Sequence, residues 1–240
     1  AAHLSIIRRN CFAMRHSLAG LALVAPLLIP PLRAQAPDPP PPVVAPDSVA
    51  LRLLADIHAL DSTIVIEVRY ATPHNFTTAV LPGYQANRAL LRREAAEALV
   101  RVQRRLQTGG MGLKVFDGYR PVRATREMVA WAGRTGQQWL LEQGYIASRS
   151  RHNLGLAVDL TLVDWSVGGR EVDLGTPYDT FSEQAHWANA TGRTLRYRQL
   201  LRRVMESEGF RQYSEEWWHY SFEVPGETPA FDLTVGTDPP

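Results

Sequence analysis

Apolar positions with helical spacing define three segments of the chain. From residue 87 to 106 they recur three or four residues apart, at Leu90, Leu91, Ala95, Leu99, Val102 and Leu106. This pattern predicts a helix that ends before Gly109 and Gly110. Pro121, at a first helical position, predicts a second helix to about Trp131, and residues 197–208 form a third, ended by Gly209.

Alternating segments predict strands over residues 62–70, 112–118, 154–162 and 216–224. In the third strand, large aliphatic side chains occupy one face, at Leu156, Val158, Leu160 and Leu162. Asp159 lies on the opposite face with Ala157 and Thr161. Because strands and helices mix without strict βαβ order, the pattern predicts one α+β domain, an antiparallel sheet with flanking helices.

The first 36 residues differ from the rest of the chain. A basic start at Met14 is followed by an apolar run and by Ala34-Gln35-Ala36, which predicts a secretory signal peptide over residues 1–36, cleaved after Ala36. Residues 1–13 are then an over-extended start. The alternative is a membrane anchor, but prolines interrupt the run short of the ~20 residues that a spanning helix needs. We therefore expect an exported bacterial protein, periplasmic or extracellular, without stable membrane insertion.

The proline-rich segment 37–47 has too little apolar surface to fold and is predicted to be a tether, followed by the domain at 48–240. Cleavage removes four arginines and no acids, so the formal charge moves from +2 to −2. The mature chain therefore gives no support for a nucleic-acid partner, and its pattern indicates no particular oligomeric state.

Loss of Cys11 with the leader leaves the mature chain without thiols, so a metal would need histidine and carboxylate ligands. The stretch SRHNLGLAVD places His152 before Gly155 and the strand that carries Asp159. A turn at the glycine would bring both side chains together. The pair alone fits a weak metal site or a surface hydrogen bond, and a third ligand is needed.

The stretch EEWWHYSF offers His219, with Glu216 three residues earlier. In a strand the two side chains point to opposite faces unless Glu216 lies in the preceding turn. The alternative is a tryptophan-rich core strand with a buried histidine. Together, the two stretches supply ligands for a tetrahedral zinc with an open position for water, and a carboxylate base.

Arg120 lies in FDGYRP, at a strand end just before a helix. Its permanent charge and rigid fork of donors suit the oxyanion that develops on an attacked carbonyl. The commoner use of an arginine at such a place is an exposed charge in a turn.

Taken together, these segments resemble the zinc D-alanyl-D-alanine dipeptidases of the VanX type. The pattern SxHxxGxAxD and the downstream ExxH carry the resemblance, and further matching segments occur in the same order: RYATPHNFT, GYQANR, DGYRP and the region around the two histidine motifs. The resemblance covers about residues 50–235. That family belongs to a group with the D,D-carboxypeptidases and shares its fold with the hedgehog signalling domain.

The resemblance implies roles for individual residues. It makes His152, Asp159 and His219 the ligands of one Zn²⁺ per chain and Glu216 the catalytic base. Arg120 would stabilise the tetrahedral intermediate.

Three further residues match the family's substrate pocket. Asp179 would bind the substrate ammonium, and Ser150 and Tyr70 would line the same pocket. His74 and His186 match no ligand position.

The expected activity is hydrolysis of the D-alanyl-D-alanine dipeptide in cell-wall turnover, with a small dipeptide as the binding partner. One alternative is a D,D- or L,D-carboxypeptidase or endopeptidase acting on longer peptidoglycan peptides, which needs an open groove. Another is a non-catalytic zinc-binding module, for which Glu216 and Arg120 would be superfluous.

Overall fold

The computed structural model describes residues 42–226 and 228–237. The predicted signal peptide lies outside the described residues, as does the tether up to residue 41. From Val44 onward the chain contacts the domain, since the Ala45 amide donates to the Ala230 carbonyl at 2.9 Å. No helix within these two ranges combines the length and apolar character needed to cross a membrane.

The described residues form six helices and eight short strands. The helices are α1 (Asp47–Leu53), α2 (Ile57–Leu60), α3 (Arg93–Gln107), α4 (Val122–Arg134), α5 (Trp139–Glu142) and α6 (Gly192–Glu206). The strands are β1 (Leu54–Asp56), β2 (Val65–Ile66), β3 (Leu90–Arg92), β4 (Met111–Asp117), β5 (Ala157–Asp164), β6 (Arg170–Glu171), β7 (Phe210–Gln212) and β8 (His219–Phe222). Single 3₁₀ turns occupy Arg69–Ala71, Arg151–Leu154, Trp165–Val167 and Glu183–Ala185.

The main sheet has the order β2–β4–β5–β8–β7, with β6 paired to β5, and β1 and β3 form a separate antiparallel pair. All pairs in the main sheet are antiparallel except β2 and β4, which run parallel at one edge. Helix α3 packs on β4, α6 packs on β7, and the two helices contact each other. The predicted α+β class with a largely antiparallel sheet is confirmed.

The predicted strand over residues 62–70 is wrong in extent, because only Val65 and Ile66 are strand. The side chain of Asn87 replaces the missing strand partner: its Oδ1 accepts the Val68 amide at 2.7 Å and its Nδ2 donates to the Ile66 carbonyl at 2.9 Å. The chain then turns into the 3₁₀ segment that carries Tyr70.

The predicted helix from residue 87 begins six residues later, at Arg93. Leu90 and Leu91 form β3 instead, where both are buried and pair with β1. The third predicted helix starts earlier than expected, at Gly192, and ends at Glu206.

The central strand β5 is buried on both faces, from Ala157 to Val163. The alternation of its side chains still directs Asp159 away from the face of Val158 and Leu160. Strand β5 begins three residues later than predicted, because Arg151–Leu154 form a 3₁₀ turn. This turn, rather than the strand, carries His152.

Candidate metal centre and active site

Strand register brings three polar side chains into one row across the sheet. Asp159 of β5 lies opposite Asp117 of β4 on one side and His219 of β8 on the other. The register of β4 against β5 shifts between Val115 and Asp117, next to this pairing. Residues 42 and 60 positions apart in sequence are therefore direct neighbours in the sheet.

His152 reaches the same row from the 3₁₀ turn that precedes β5. The turn is capped by Ser150, whose Oγ accepts the His152 amide at 3.2 Å. It ends at Gly155, which has a left-handed φ of 67°, and a Cβ there would lie 2.6 Å from Leu54 Cδ2. The glycine in the motif is thus required both by its backbone conformation and by the space available.

A backbone carbonyl orients the His152 ring. Nδ1 lies 2.7 Å from the Gly118 carbonyl oxygen, which assigns the ring proton to Nδ1 and leaves the Nε2 lone pair facing the centre. Gly118 packs closely on β3, since a Cβ would stand 2.5 Å from the Leu90 carbonyl oxygen. The Arg120 amide also donates to the His152 carbonyl, at 3.1 Å.

Three ligand-type atoms form a small triangle. His152 Nε2 lies 3.3 Å from Asp159 Oδ1, His219 Nδ1 lies 3.0 Å from the same oxygen, and the two nitrogens are 3.2 Å apart. Zinc bonds of ~2.0–2.1 Å at tetrahedral angles separate ligand atoms by about 3.3 Å. Burial lowers the pKa of His219, which favours the neutral ring that binds a cation. The donor set and its spacing fit a tetrahedral zinc with one open position.

Glu216 lies in the turn before β8, with its Oε2 3.8 Å from His219 Nδ1. The predicted strand over residues 216–224 is shorter, because β8 begins only at His219. Since Glu216 lies in the turn before the strand, its side chain can lie on the same side as that of His219. Burial raises the pKa of Glu216 well above its usual value, and the nearby charges of Asp159 and Asp179 add to the effect. A carboxylate with a raised pKa beside a metal site suits proton transfer near neutral pH.

Arg120 is 9% exposed, so it is not an exposed charge in a turn. Its Nε and Nη2 donate to Asp117 Oδ2 at 2.9 and 2.8 Å, and Asp117 Oδ1 accepts the Tyr84 hydroxyl at 2.6 Å. Among the described residues, its Nη1 donates only to the weakly accepting sulfur of Met128, at 3.5 Å. That nitrogen therefore retains donor capacity, and both Arg120 and Met128 line the cavity of the site.

Asp179 and Tyr70 meet at the far wall of the site. The Tyr70 hydroxyl donates to Asp179 Oδ1 at 3.0 Å, and its ring lies under the Arg120 guanidinium at 4.9 Å. Asp179 has a left-handed φ of 60°, and its Oδ2 is buried without a hydrogen-bond partner among the described residues. Burial, with the charge of Asp159, raises the pKa of Asp179 to about 8. This strained, half-satisfied acid indicates a place for a cationic ligand group.

A buried arginine anchors the loop that presents Asp179. Arg198 of α6 is 1% exposed and donates to the carbonyls of Leu174, Gln184 and His186 at 2.8, 3.2 and 2.6 Å. These carbonyls lie on both sides of Asp179 along the chain. The loop is thereby fixed at both ends rather than left free over the site.

The site opens into a cavity of about 340 Å³. This volume is at the small end of the ~300–1,000 Å³ range of ligand pockets. All eight residues predicted for the site lie on its wall: Tyr70, Arg120, Ser150, His152, Asp159, Asp179, Glu216 and His219. Two arginines that flank Ser150, Arg149 and Arg151, also line it, so the wall has cationic as well as acidic groups.

Two predicted non-ligands lie away from the metal triangle. His186 contacts the Tyr145 hydroxyl at 3.0 Å, and His74 contacts Arg69 Nη1 at 3.1 Å. The sequence interpretation missed two residues that contact the site residues, Asp117 and Tyr178. Tyr178 is adjacent to the predicted Asp179, and Asp117 begins the motif DGYRP three residues before the predicted Arg120, so proximity in sequence was the available signal.

The mixed α/β fold, the His–Asp–His triangle and the adjacent carboxylate fit the class of metallopeptidases. A family model described as D-ala-D-ala dipeptidase matches residues 52–232. The chain belongs to this family of peptidases, as its sequence motifs predicted.

The sequences of curated relatives agree with this assignment. The D-alanyl-D-alanine dipeptidase of Enterococcus faecium is 36% identical over 186 residues, which cover 70% of this chain and 91% of the relative. That of Streptomyces coelicolor is 34% identical, over 75% of this chain and 97% of the relative. A solved structure of the vancomycin-resistance D,D-dipeptidase VanXYg with a D-Ala-D-Ala phosphinate analogue has 21% identity and a TM-score of 0.38, over 56% of this chain and 51% of that one.

Proposed function

We propose that this peptidase hydrolyses the D-alanyl-D-alanine dipeptide with one zinc ion held by His152, Asp159 and His219. The observation that carries the proposal is the triangle of ligand atoms with sides of 3.0–3.3 Å beside the buried Glu216. Zinc, when bound, lowers the pKa of water and polarises the substrate carbonyl.

Glu216 takes the proton of the attacking water on a carboxylate oxygen and later delivers it to the leaving amine. Arg120 donates from Nη1 to the oxygen that becomes negative in the tetrahedral intermediate. Its ion pair with Asp117, at 2.8 Å, holds the guanidinium in place before substrate arrives. The chain thus supplies both a proton acceptor and a fixed positive charge at the reacting bond.

Substrate length is set by charges at both ends of the cavity. Asp179 pairs with the ammonium of the dipeptide, and Tyr70 fixes the orientation of that carboxylate. Ser150, with the neighbouring Arg149 and Arg151, lines the wall available to the substrate carboxylate. A longer peptide has no ammonium at this point and would leave Asp179 buried without a cation.

Alanine release from four substrates tests this function on the zinc-loaded protein. We expect cleavage of D-alanyl-D-alanine, a lower rate for the L,L isomer, and rates at least about tenfold lower for N-acetyl-D-alanyl-D-alanine and for a wall pentapeptide. The last two lack the ammonium that pairs with Asp179, and a lost charged hydrogen bond of about 1.5–3 kcal/mol accounts for ~10–150-fold.

Other outcomes identify the alternatives. Cleavage of the pentapeptide but not of the dipeptide would assign the protein as a carboxypeptidase. Zinc binding without any cleavage would indicate a binding module.

We further propose that the protein is exported and acts on dipeptide released from the cell wall. The support is the sequence of residues 14–36, which has the order of a signal peptide, and the proline-rich segment that follows. Fractionation of the native bacterium should find a protein that begins near residue 37 outside the cytoplasm. Recovery from the cytosol with residues 14–36 attached would contradict this part of the proposal alone.

A further inference from the structure

The two carboxylate oxygens of Asp159 have different surroundings. Oδ1 faces the nitrogens of His152 and His219 at 3.3 and 3.0 Å. Oδ2 points away from them and accepts the Tyr178 hydroxyl at 3.0 Å. A carboxylate that could rotate would offer either oxygen, or both, to a cation. The groups that bind Oδ2 therefore determine which oxygen of Asp159 is available to the metal.

Tyr178 is the hydrogen-bond donor that the described residues place on Oδ2. The Arg120 guanidinium is the other candidate, but its Nη2 stays 3.7 Å from Oδ2 while it lies 2.8 Å from Asp117. A separation of 3.7 Å exceeds that of a hydrogen bond. Orientation of Asp159 therefore depends chiefly on the tyrosine hydroxyl.

The ring of Tyr178 is held rigidly enough to fix that hydroxyl. It stacks on Phe116 with centroids 4.7 Å apart and planes inclined at 27°. Trp218 meets it edge to face at 5.4 Å. These contacts leave the ring little freedom to move its oxygen away from Asp159.

Hydroxyl contacts continue from Tyr178 to the substrate-binding acid. Its oxygen lies 3.0 Å from the Tyr70 oxygen, which lies 3.0 Å from Asp179 Oδ1. Tyr178 itself does not line the 340 Å³ cavity. Tyr178 therefore links the metal ligand Asp159 to Tyr70 from a position outside the cavity.

We propose that Tyr178 is a positioning residue, whose hydroxyl holds Asp159 Oδ2 so that Oδ1 alone is presented to the metal. The inference rests on the proposed zinc site. Tyr178 would affect metal binding and turnover by orienting Asp159, and it would not contact the substrate. Partners of this kind, which hold a ligand from behind, typically change metal affinity 10–100-fold.

Tyr178→Phe tests the assignment, because it keeps the stacking on Phe116 and removes only the hydroxyl. Zinc affinity, measured by chelator competition on the metal-free protein, should fall about 10–100-fold. At saturating zinc, kcat should fall by about tenfold while KM changes less than about threefold. The visible spectrum of the cobalt-substituted variant should also shift, because the carboxylate ligand is no longer fixed.

Tyr119→Phe is the matched control. Its hydroxyl is another buried donor, to the Leu233 carbonyl at 3.0 Å, and has no contact with Asp159. It should cause a similar loss of thermal stability with unchanged zinc affinity. A Tyr178→Phe protein that loses stability but binds zinc as the wild type does, with an unchanged cobalt spectrum, would overturn the inference. Failure of the wild type itself to bind zinc would instead overturn the proposed function.

Discussion

Replacement of Glu216 by glutamine should lower kcat for the dipeptide about 10²–10⁴-fold, the range that general acid–base catalysis contributes. The amide has nearly the same shape but cannot accept the proton of the attacking water. Zinc content should not change, because the Glu216 oxygen lies 3.8 Å from the nearest ligand nitrogen, outside the triangle of donors. Turnover and metal analysis of the same preparation measure both effects.

Glu215→Gln is the matched control, since the two carboxylates are adjacent in sequence. Glu215 accepts the Tyr213 hydroxyl at 2.9 Å and is not part of the cavity wall. Its loss should change kcat less than about threefold. Near-normal turnover by Glu216→Gln would remove Glu216 from its role as base, and loss of zinc from that variant would make it a ligand.

The sequence identified the residues of the site more readily than their arrangement in space. Residue type and spacing made His152 and Asp159 a candidate pair, because a turn at Gly155 would bring them together, but their assignment as ligands rested on the family resemblance. The sequence alone left Glu216 ambiguous between strand and turn. The structure resolves this, because the Glu216 carbonyl accepts the His219 amide at 3.2 Å and closes a turn before β8.

Errors in the predicted elements have a common physical origin in long-range contacts. Leu90 and Leu91 match helical spacing, but pairing with β1 buries both as strand. Val68 alternates like a strand residue, yet the Asn87 side chain occupies its backbone amide. Local periodicity does not encode such partners, which lie 19 or more residues away.

Tyr178 and Asp117 escaped prediction for a similar reason. Nothing in the local sequence distinguishes a tyrosine that supports a metal ligand from one that packs in the core. Their roles follow from register, since Asp117 lies opposite Asp159, and from the loop that Arg198 fixes. Motifs thus identify groups that bind or react, while the residues that orient them emerge from the fold.

His219→Ala should remove one of the three zinc ligands and with it both metal and activity. If the apparent 10–16 kcal/mol of a four-ligand zinc site is shared equally, each ligand contributes on the order of 3 kcal/mol. Zinc affinity should then fall more than about 100-fold. Equilibrium dialysis measures this directly, and His186→Ala, whose ring contacts Tyr145 at 3.0 Å instead of the triangle, should bind zinc normally.

Excess zinc distinguishes the two kinds of defect. It should partly restore turnover to His219→Ala, where Asp159 and His152 still provide two donors 3.3 Å apart. It should not restore Glu216→Gln, which holds its metal but lacks the proton acceptor. Undiminished zinc affinity in His219→Ala would place the metal away from this triangle, and the activity would then need a different set of ligands. The pair of variants therefore separates the residues that hold the metal from the residue that uses it.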